Sequence, residues 1–231
     1  MTRPEQTSLA TGERTIAVRT HGRYLTELHP GAAATLVGFH GYQENAARHL
    51  EVLHRIAGGR AINLVSVQGL HRFYTRANAV VAGWMTSEDR ELAIADNIDY
   101  VGAVLAEVAA DSGLPRPLVY VGFSQGVAMA YRAAAFVRRP CDGVIALAGD
   151  VPPDVAPVAA GLPTVLLGRG TEDAWYSAEK MARDLSSLRA ADVTVIEHVF
   201  AGGHVWEESF VARAGAFLDE RIAATSAPSG D

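Results

Sequence analysis

The chain has 231 residues, of which 49% are hydrophobic and 20% charged, a composition typical of a globular protein with a large core. A net charge of -6 at pH 7 and the lack of a long basic run argue against nucleic acid or an anionic membrane surface as the main partner. The single cysteine, Cys141, excludes an intramolecular disulfide. We find no apolar signal segment or membrane-spanning stretch, and expect a cytoplasmic protein.

Short apolar runs predict the strands of a buried sheet. Two N-terminal stretches, "TIAVRT" and "YLTELH", indicate an edge hairpin or meander. The later runs are continuous rather than alternating, which is typical of a parallel sheet covered on both faces. These runs are 34–39, 61–67, 117–123, 143–149, 163–168 and 193–200.

Helical patterns separate these strands. The clearest begins at Thr86 or Ser87, carries acids in its first turn and ends near Gly113. Further helices are predicted at 44–57, 125–139, 176–189 and 206–223. The alternation predicts an α/β fold with a doubly wound, mostly parallel sheet, whose functional site lies at the carboxyl ends of the strands. We expect one domain over 14–223, with flexible segments at 1–13 and 224–231.

The stretch "GFSQG" places Ser124 between Gly122 and Gly126, after an apolar strand and before an alanine-rich helix. Composition alone gives such a pattern in about one chain in ten, so the flanking elements carry the argument. A serine on a tight strand-to-helix turn has a strained backbone and presents its hydroxyl at the strand end. The alternative is a loop with an incidental serine. We favour a nucleophile.

A serine hydroxyl needs a base, and on such a turn the partners follow in the order acid, then histidine. Asp173, in the loop after the strand at 163–168, is our candidate acid, with Glu172 and Asp150 as alternatives. His204, in the glycine-rich loop after the last strand, is the candidate base. His198 lies inside a strand pattern, where we expect local packing or bonding.

A developing oxyanion needs hydrogen-bond donors. We assign the backbone N–H groups of Gln125, next to the serine, and of Tyr42, which follows His40 and Gly41 after an early strand. His40 is expected to anchor its loop rather than to act as a base.

Several aromatic residues lie near predicted strand ends and suit an apolar acyl or aryl group. Trp84, Trp175, Phe123 and Trp206 are our substrate-binding candidates, and about half of the aromatic residues here should instead fill the core or brace loops. The longest irregular stretch, 68–85, is a candidate pocket wall, and 151–162 is too short for a helical cap domain. The nearby arginines, Arg72, Arg76 and Arg169, are expected to be solvated.

Together, the HG dipeptide, "GFSQG", the aspartate loop and the late "GGH" resemble the α/β-hydrolase superfamily over roughly 33–222. "GFSQG" is similar to the phospholipase/carboxylesterase family, which includes acyl-protein thioesterases. The resemblance implies a Ser–Asp–His triad of Ser124, Asp173 and His204 that hydrolyses carboxylic esters, with no metal, no cofactor and no large cap domain. The chain departs from the family's usual patterns with "HGYQEN" and "GRGTEDAWYS", which leaves the substrate open.

Other functions fit the same residues. A thioesterase, acyltransferase, peptidase or perhydrolase would use the same site on another bond or acceptor. A non-catalytic binding protein of the same fold is a further alternative, although it would be expected to lack a complete triad. The expected partner is a small-molecule ester, and the sequence leaves a homodimer open.

Overall fold

The computed structural model describes residues 12–226, and a mostly parallel sheet of seven strands forms its centre. The sheet order is β1-β3-β2-β6-β7-β8-β9, with β1 antiparallel to β3 and every other pair parallel. The strands, in chain order, are β1 Arg23–Glu27, β2 Thr35–Phe39, β3 Asn63–Gln68, β4 His71–Tyr74, β5 Val80–Gly83, β6 Leu118–Phe123, β7 Gly143–Leu147, β8 Val165–Gly170 and β9 Val195–Phe200.

Helices cover both faces of this sheet. α1 and α5 pack against each other on one face, while α2 and α3 pack together on the other. Asn45 and Ser177 begin α1 and α4, where their side chains accept hydrogen bonds from backbone N–H groups of the first turn. The helices are α1 Ala46–Ala57, α2 Arg90–Ser112, α3 Gln125–Phe136, α4 Ala178–Ala190 and α5 Glu208–Ser226. The predicted α/β fold class is confirmed.

Two predictions near element ends were wrong. α2 begins at Arg90 rather than at Thr86 or Ser87, because Asp89 has a left-handed backbone with φ of 47° that interrupts the helix. The "TIAVRT" stretch forms no strand, and its Ile16 side chain is 87% exposed. Only the second predicted edge segment pairs with the sheet, as β1.

The stretch 68–85 is ordered, whereas we predicted an irregular segment. Its two strands, β4 and β5, form an antiparallel hairpin outside the main sheet. The turn is closed by Thr75, whose N–H bonds the Ala79 carbonyl and whose hydroxyl accepts the Ala79 N–H. Each strand has only four residues, and β4 is mostly exposed, so the pattern of apolar residues is too short to reveal them.

The connection 151–162 contains a single 3-10 helix, Ala156–Gly161, so the described residues include no large cap domain, as predicted. Most of the predicted terminal segments, 1–13 and 224–231, lies outside the described residues, and α5 continues through Ser226. Between residues 12 and 226, no helix combines the length and apolar character that crossing a membrane requires.

Candidate active site

The candidate residues meet at one edge of the sheet because the parallel strands end there in register. Phe39 at the end of β2 pairs with Gly122 of β6, and Phe123 pairs with Leu147 at the end of β7. Gly170 and Phe200 close β8 and β9 side by side. The loops that follow these strands carry His40 to Tyr42, Ser124, Asp173 and His204.

Ser124 occupies a strained turn between β6 and α3. Its backbone has φ of 52° and ψ of -119°, a region that non-glycine residues rarely adopt. The strain is held in place because the Ser124 N–H donates to the Leu147 carbonyl at 2.9 Å and its carbonyl accepts from the Val127 N–H at 3.0 Å. The predicted strand–serine–helix arrangement is therefore present.

Close backbone packing explains the two glycines around Ser124. A Cβ atom on Gly126 would lie 2.0 Å from the Phe39 carbonyl oxygen, and one on Gly122 would lie 2.6 Å from the Val127 Cα. Both contacts are with backbone atoms that cannot move aside without distorting the sheet or α3. Glycine at these positions brings the N-terminus of α3, with its favourable dipole for an anion, close to the end of β2.

His204 is hydrogen-bonded to Asp173. The distance from His204 Nδ1 to Asp173 Oδ2 is 2.8 Å, and the Asp173 side chain is fully buried while that of His204 is 23% exposed. The second carboxylate oxygen, Oδ1, accepts the N–H groups of Trp175 and Tyr176, both at 2.8 Å. These bonds fix the carboxylate, which in turn orients the imidazole.

The alternative acids make other contacts. Asp150 lines the same cavity as Ser124 but pairs with Lys180 at 3.3 Å, and Glu172 is exposed. His198 bonds the Ser209 hydroxyl at 3.1 Å, which agrees with the local role expected for it. Among the three acids considered, Asp173 is the one that contacts His204.

Ser124 and His204 line the same cavity, of about 690 Å³. Within residues 12–226, no hydrogen bond joins the Ser124 hydroxyl to the imidazole. Such bonds often form or tighten only when a substrate binds. Ser124 and His204 thus share one cavity, and the buried carboxylate of Asp173 holds the other side of the imidazole.

The loop after β2 is held by two side chains. Glu44 Oε2 accepts the Gly41 N–H at 2.9 Å, so that this donor is already used. His40 Nε2 accepts the Gly69 N–H at 3.0 Å, which places the ring proton on Nδ1, where it bonds the Gly41 carbonyl at 2.7 Å. Burial lowers the pKa of His40 to about 4, so the neutral ring is an anchor. The backbone of Tyr42 follows directly in this loop.

The cavity at Ser124 has a mixed lining. Met85, Ala128, Val151 and Pro152 contribute apolar surface, whereas α4 contributes Lys180, Arg183 and Asp184. The Asp184 carboxylate accepts the Tyr176 hydroxyl at 2.8 Å and the Val151 N–H at 3.1 Å. Burial raises the Asp184 pKa. The pocket therefore combines apolar surface with charged groups, a more polar lining than the aromatic one expected.

Three of the four predicted substrate-binding aromatic residues lie outside this cavity. Trp175 lines it and is 76% exposed. Trp84 is completely buried, and its indole N–H donates to the His40 carbonyl at 2.8 Å. It offers no surface to a substrate, so its assignment to substrate binding was wrong. Phe123 and Trp206 pack together beside His204, with the Phe123 ring 4.9 Å from the imidazole, and line a second cavity of about 350 Å³.

None of the three predicted solvated arginines lines either cavity. The guanidinium groups of Arg72 and Arg169 bond backbone carbonyls, and Arg76 is exposed. In the described part of the chain, no three or more His, Cys, Asp or Glu side chains are grouped as metal ligands.

Three supporting interactions were not predicted from the sequence. One is the Glu44 bond to Gly41, and another is the pair of hydrogen bonds between the Gln125 amide and the segment after β5. The third is a bidentate pair in which buried Arg132 of α3 holds Asp154, within the connection that lines the cavity. These contacts join residues between 3 and 41 positions apart, and no local pattern encodes the longer ones.

Comparisons with known proteins identify the fold. The sequence matches no protein-family model and no curated protein. Among solved structures, esterase PE8 is 25% identical with a TM-score of 0.69, covering 88% of this chain and 100% of its own. The Bacillus cereus carboxylesterase is 19% identical with a TM-score of 0.67, covering 87% and 94%. Acyl-protein thioesterase 2 of Zea mays is 18% identical with a TM-score of 0.66, covering 87% and 100%.

The order of the strands, the turn at Ser124 and these structural likenesses agree with the resemblance drawn from the sequence motifs. The chain has the α/β-hydrolase fold and resembles the phospholipase/carboxylesterase-like proteins.

Proposed function

We propose that this protein is a serine hydrolase of carboxylic esters, with Ser124 as nucleophile, His204 as base and Asp173 as the acid that orients it. The observation that carries the proposal is the 2.8 Å bond from His204 to buried Asp173, at a cavity that also contains Ser124 on its strained turn. The esterase and carboxylesterase among the structural neighbours support the same reaction class.

In this mechanism His204 Nε2 takes the hydroxyl proton as Ser124 Oγ attacks the ester carbonyl. The carbonyl oxygen becomes an anion, which accepts the N–H groups of Tyr42 and Gln125. Collapse of this intermediate breaks the bond to the alcohol oxygen, which receives the proton from His204. A water molecule, deprotonated by His204, then attacks the acyl-enzyme carbonyl. Collapse of this second intermediate breaks the bond to Ser124 Oγ, which takes the proton back from His204, and releases the acid.

The test is an acyl-chain series of p-nitrophenyl esters, with the corresponding thioesters, on the wild type and on Ser124→Ala. We expect turnover of esters by the wild type and a loss of about 10⁶-fold in kcat in the variant, since the members of a triad act as a unit. Equal rates in the two proteins would exclude this mechanism.

The same series separates the neighbouring functions. Thioesters turned over much faster than esters would identify a thioesterase, a function for which the Zea mays acyl-protein thioesterase 2 is a structural precedent. Transfer of the acyl group to an added alcohol, measured by product analysis, would identify an acyltransferase.

A further inference from the structure

The end of the β4–β5 hairpin lies beside the side chains of the two residues that carry the proposed oxyanion donors. A Cβ atom on Gly83, the last residue of β5, would lie 3.1 Å from Cδ2 of Tyr42 and 3.4 Å from Oε1 of Gln125. A side chain at position 83 would therefore contact the side chains of both residues whose N–H groups we assign to the oxyanion.

On one side, the Gln125 side chain joins the hairpin to the turn at Ser124. Its Oε1 accepts the Trp84 N–H at 2.8 Å, and its Nε2 donates to the Met85 carbonyl at 3.0 Å. The oxygen and the nitrogen of the amide thus bond two consecutive residues of the backbone, Trp84 and Met85. A carboxylate could accept the first bond but could not donate the second.

On the other side, the hairpin is bonded to the Tyr42 loop. The Gln43 N–H donates to the Ala82 carbonyl at 3.1 Å, and the Ala82 N–H donates to the Glu44 carbonyl at 2.8 Å. The Trp84 indole adds the bond to the His40 carbonyl described above. Residues on both sides of Tyr42 are therefore tied to the segment that Gln125 holds.

We propose that the Gln125 side chain is a positioning residue, which acts through this hairpin to fix the distance between the N–H groups of Tyr42 and Gln125. The inference rests on the proposed function, because it concerns how that reaction's anion is stabilised. Fixed donors act on the transition state without reorganising, and a misplacement of about 1 Å can reduce the rate by about 100-fold.

Gln125→Met tests the inference, since it keeps the backbone N–H and the side-chain length and removes both amide bonds. We expect kcat for a p-nitrophenyl ester to fall roughly 10- to 100-fold with KM changed by less than about threefold. Inhibition by a trifluoromethyl ketone, which forms a tetrahedral oxyanion on the serine, should weaken by a similar factor. Gln125→Glu keeps the bond from the Trp84 N–H but sets a carboxylate oxygen against the Met85 carbonyl, so its kcat should also fall below that of the wild type.

Ser66→Ala is the matched control. It also removes a buried side-chain bond, from the Ser66 hydroxyl to the Ala46 carbonyl at 2.8 Å, on strand β3. It should lower the Tm and leave kcat and ketone inhibition at wild-type values. If a loss of stability alone were responsible, Ser66→Ala and Gln125→Met would show the same kinetics at equal Tm.

The outcomes distinguish the two proposals. A wild type without Ser124-dependent turnover overturns the proposed function, and this inference with it. An active wild type whose Gln125→Met variant keeps kcat within about twofold, or loses kcat without losing ketone inhibition, overturns the inference alone. Should Gln125→Met fail to fold, the same two measurements are made on Gly83→Ala, whose methyl group would contact the side chains of Tyr42 and Gln125.

Discussion

Asp173 is bound at both carboxylate oxygens, by His204 at one and by two backbone N–H groups at the other. Asp173→Asn keeps the shape but replaces an acceptor by an amide, which favours the wrong tautomer of the histidine. We expect kcat on an ester to fall by roughly 10³- to 10⁴-fold, measured with a p-nitrophenyl substrate.

Glu172→Gln provides the matched control at the neighbouring position. The Glu172 side chain is exposed. The backbone N–H of Glu172 donates to the Gly202 carbonyl, and the substitution leaves this bond intact. Its kcat should stay within about twofold of the wild type. If Glu172→Gln lost as much activity as Asp173→Asn, the assignment of the acid would be wrong.

Because His40 is buried, we expect the stability of the folded protein to fall at acid pH. Burial lowers its pKa to about 4 in the folded protein, whereas the pKa of a histidine in the unfolded chain is about 6.5. Between these two pH values the unfolded state binds more protons than the folded state. The free energy of unfolding therefore rises with pH, by at most about 1.4 kcal/mol per pH unit for one histidine. Stability should therefore fall as the pH is lowered from about 6.5 to 4.

Urea unfolding of the wild type and of His40→Asn over this range measures the effect. The variant is expected to be less stable at neutral pH, but its stability should change less steeply with pH. His49 is fully buried with a pKa lowered to about 3, so it retains its own contribution in both proteins. Identical slopes for the two proteins would show that His40 does not titrate as described.

At the scale of elements, the contact between α3 and β2 depends on Gly126. A methyl group there would meet backbone atoms of Phe39 and His40 at 2.0 to 2.6 Å. We expect Gly126→Ala to destabilise the protein by about 3 kcal/mol or more, because the helix must move away from the strand. Chemical denaturation would measure this loss.

Gly161→Ala controls for the change of residue type, since a Cβ atom there meets nothing within 4 Å. Its stability should lie within about 1 kcal/mol of the wild type. A Gly126→Ala variant as stable as Gly161→Ala would contradict the close packing that brings the serine turn against β2.

The predictability of an element depended on how it is buried. β2 and β6 are buried at every residue, and their continuous apolar runs place them to within one residue of the predicted bounds. The hairpin was missed because its strands are short and pair with each other, so that little apolar surface marks them. The start of α2 depends on the left-handed backbone of one residue, Asp89, which propensity does not reveal.

At the scale of the whole molecule, the parallel sheet brings loops that are far apart in the chain to the same edge. Ser124, Asp173 and His204 were predictable as candidates because each follows a strand whose carboxyl end lies on the same edge. Their distances were not predictable, and neither was the burial of Trp84, whose indole N–H bonds a residue 44 positions away in the chain. Side chains that bridge loops are set by tertiary packing rather than by a local pattern.

Covalent labelling is the decisive test of whether Ser124 is the nucleophile. The protein is treated with a fluorophosphonate probe, digested, and the modified residue is located by mass spectrometry, with Ser124→Ala as the control. We expect one adduct, on Ser124, that is absent from the variant and whose formation abolishes ester hydrolysis. An unlabelled Ser124 in an active enzyme, or full activity after labelling, would contradict it.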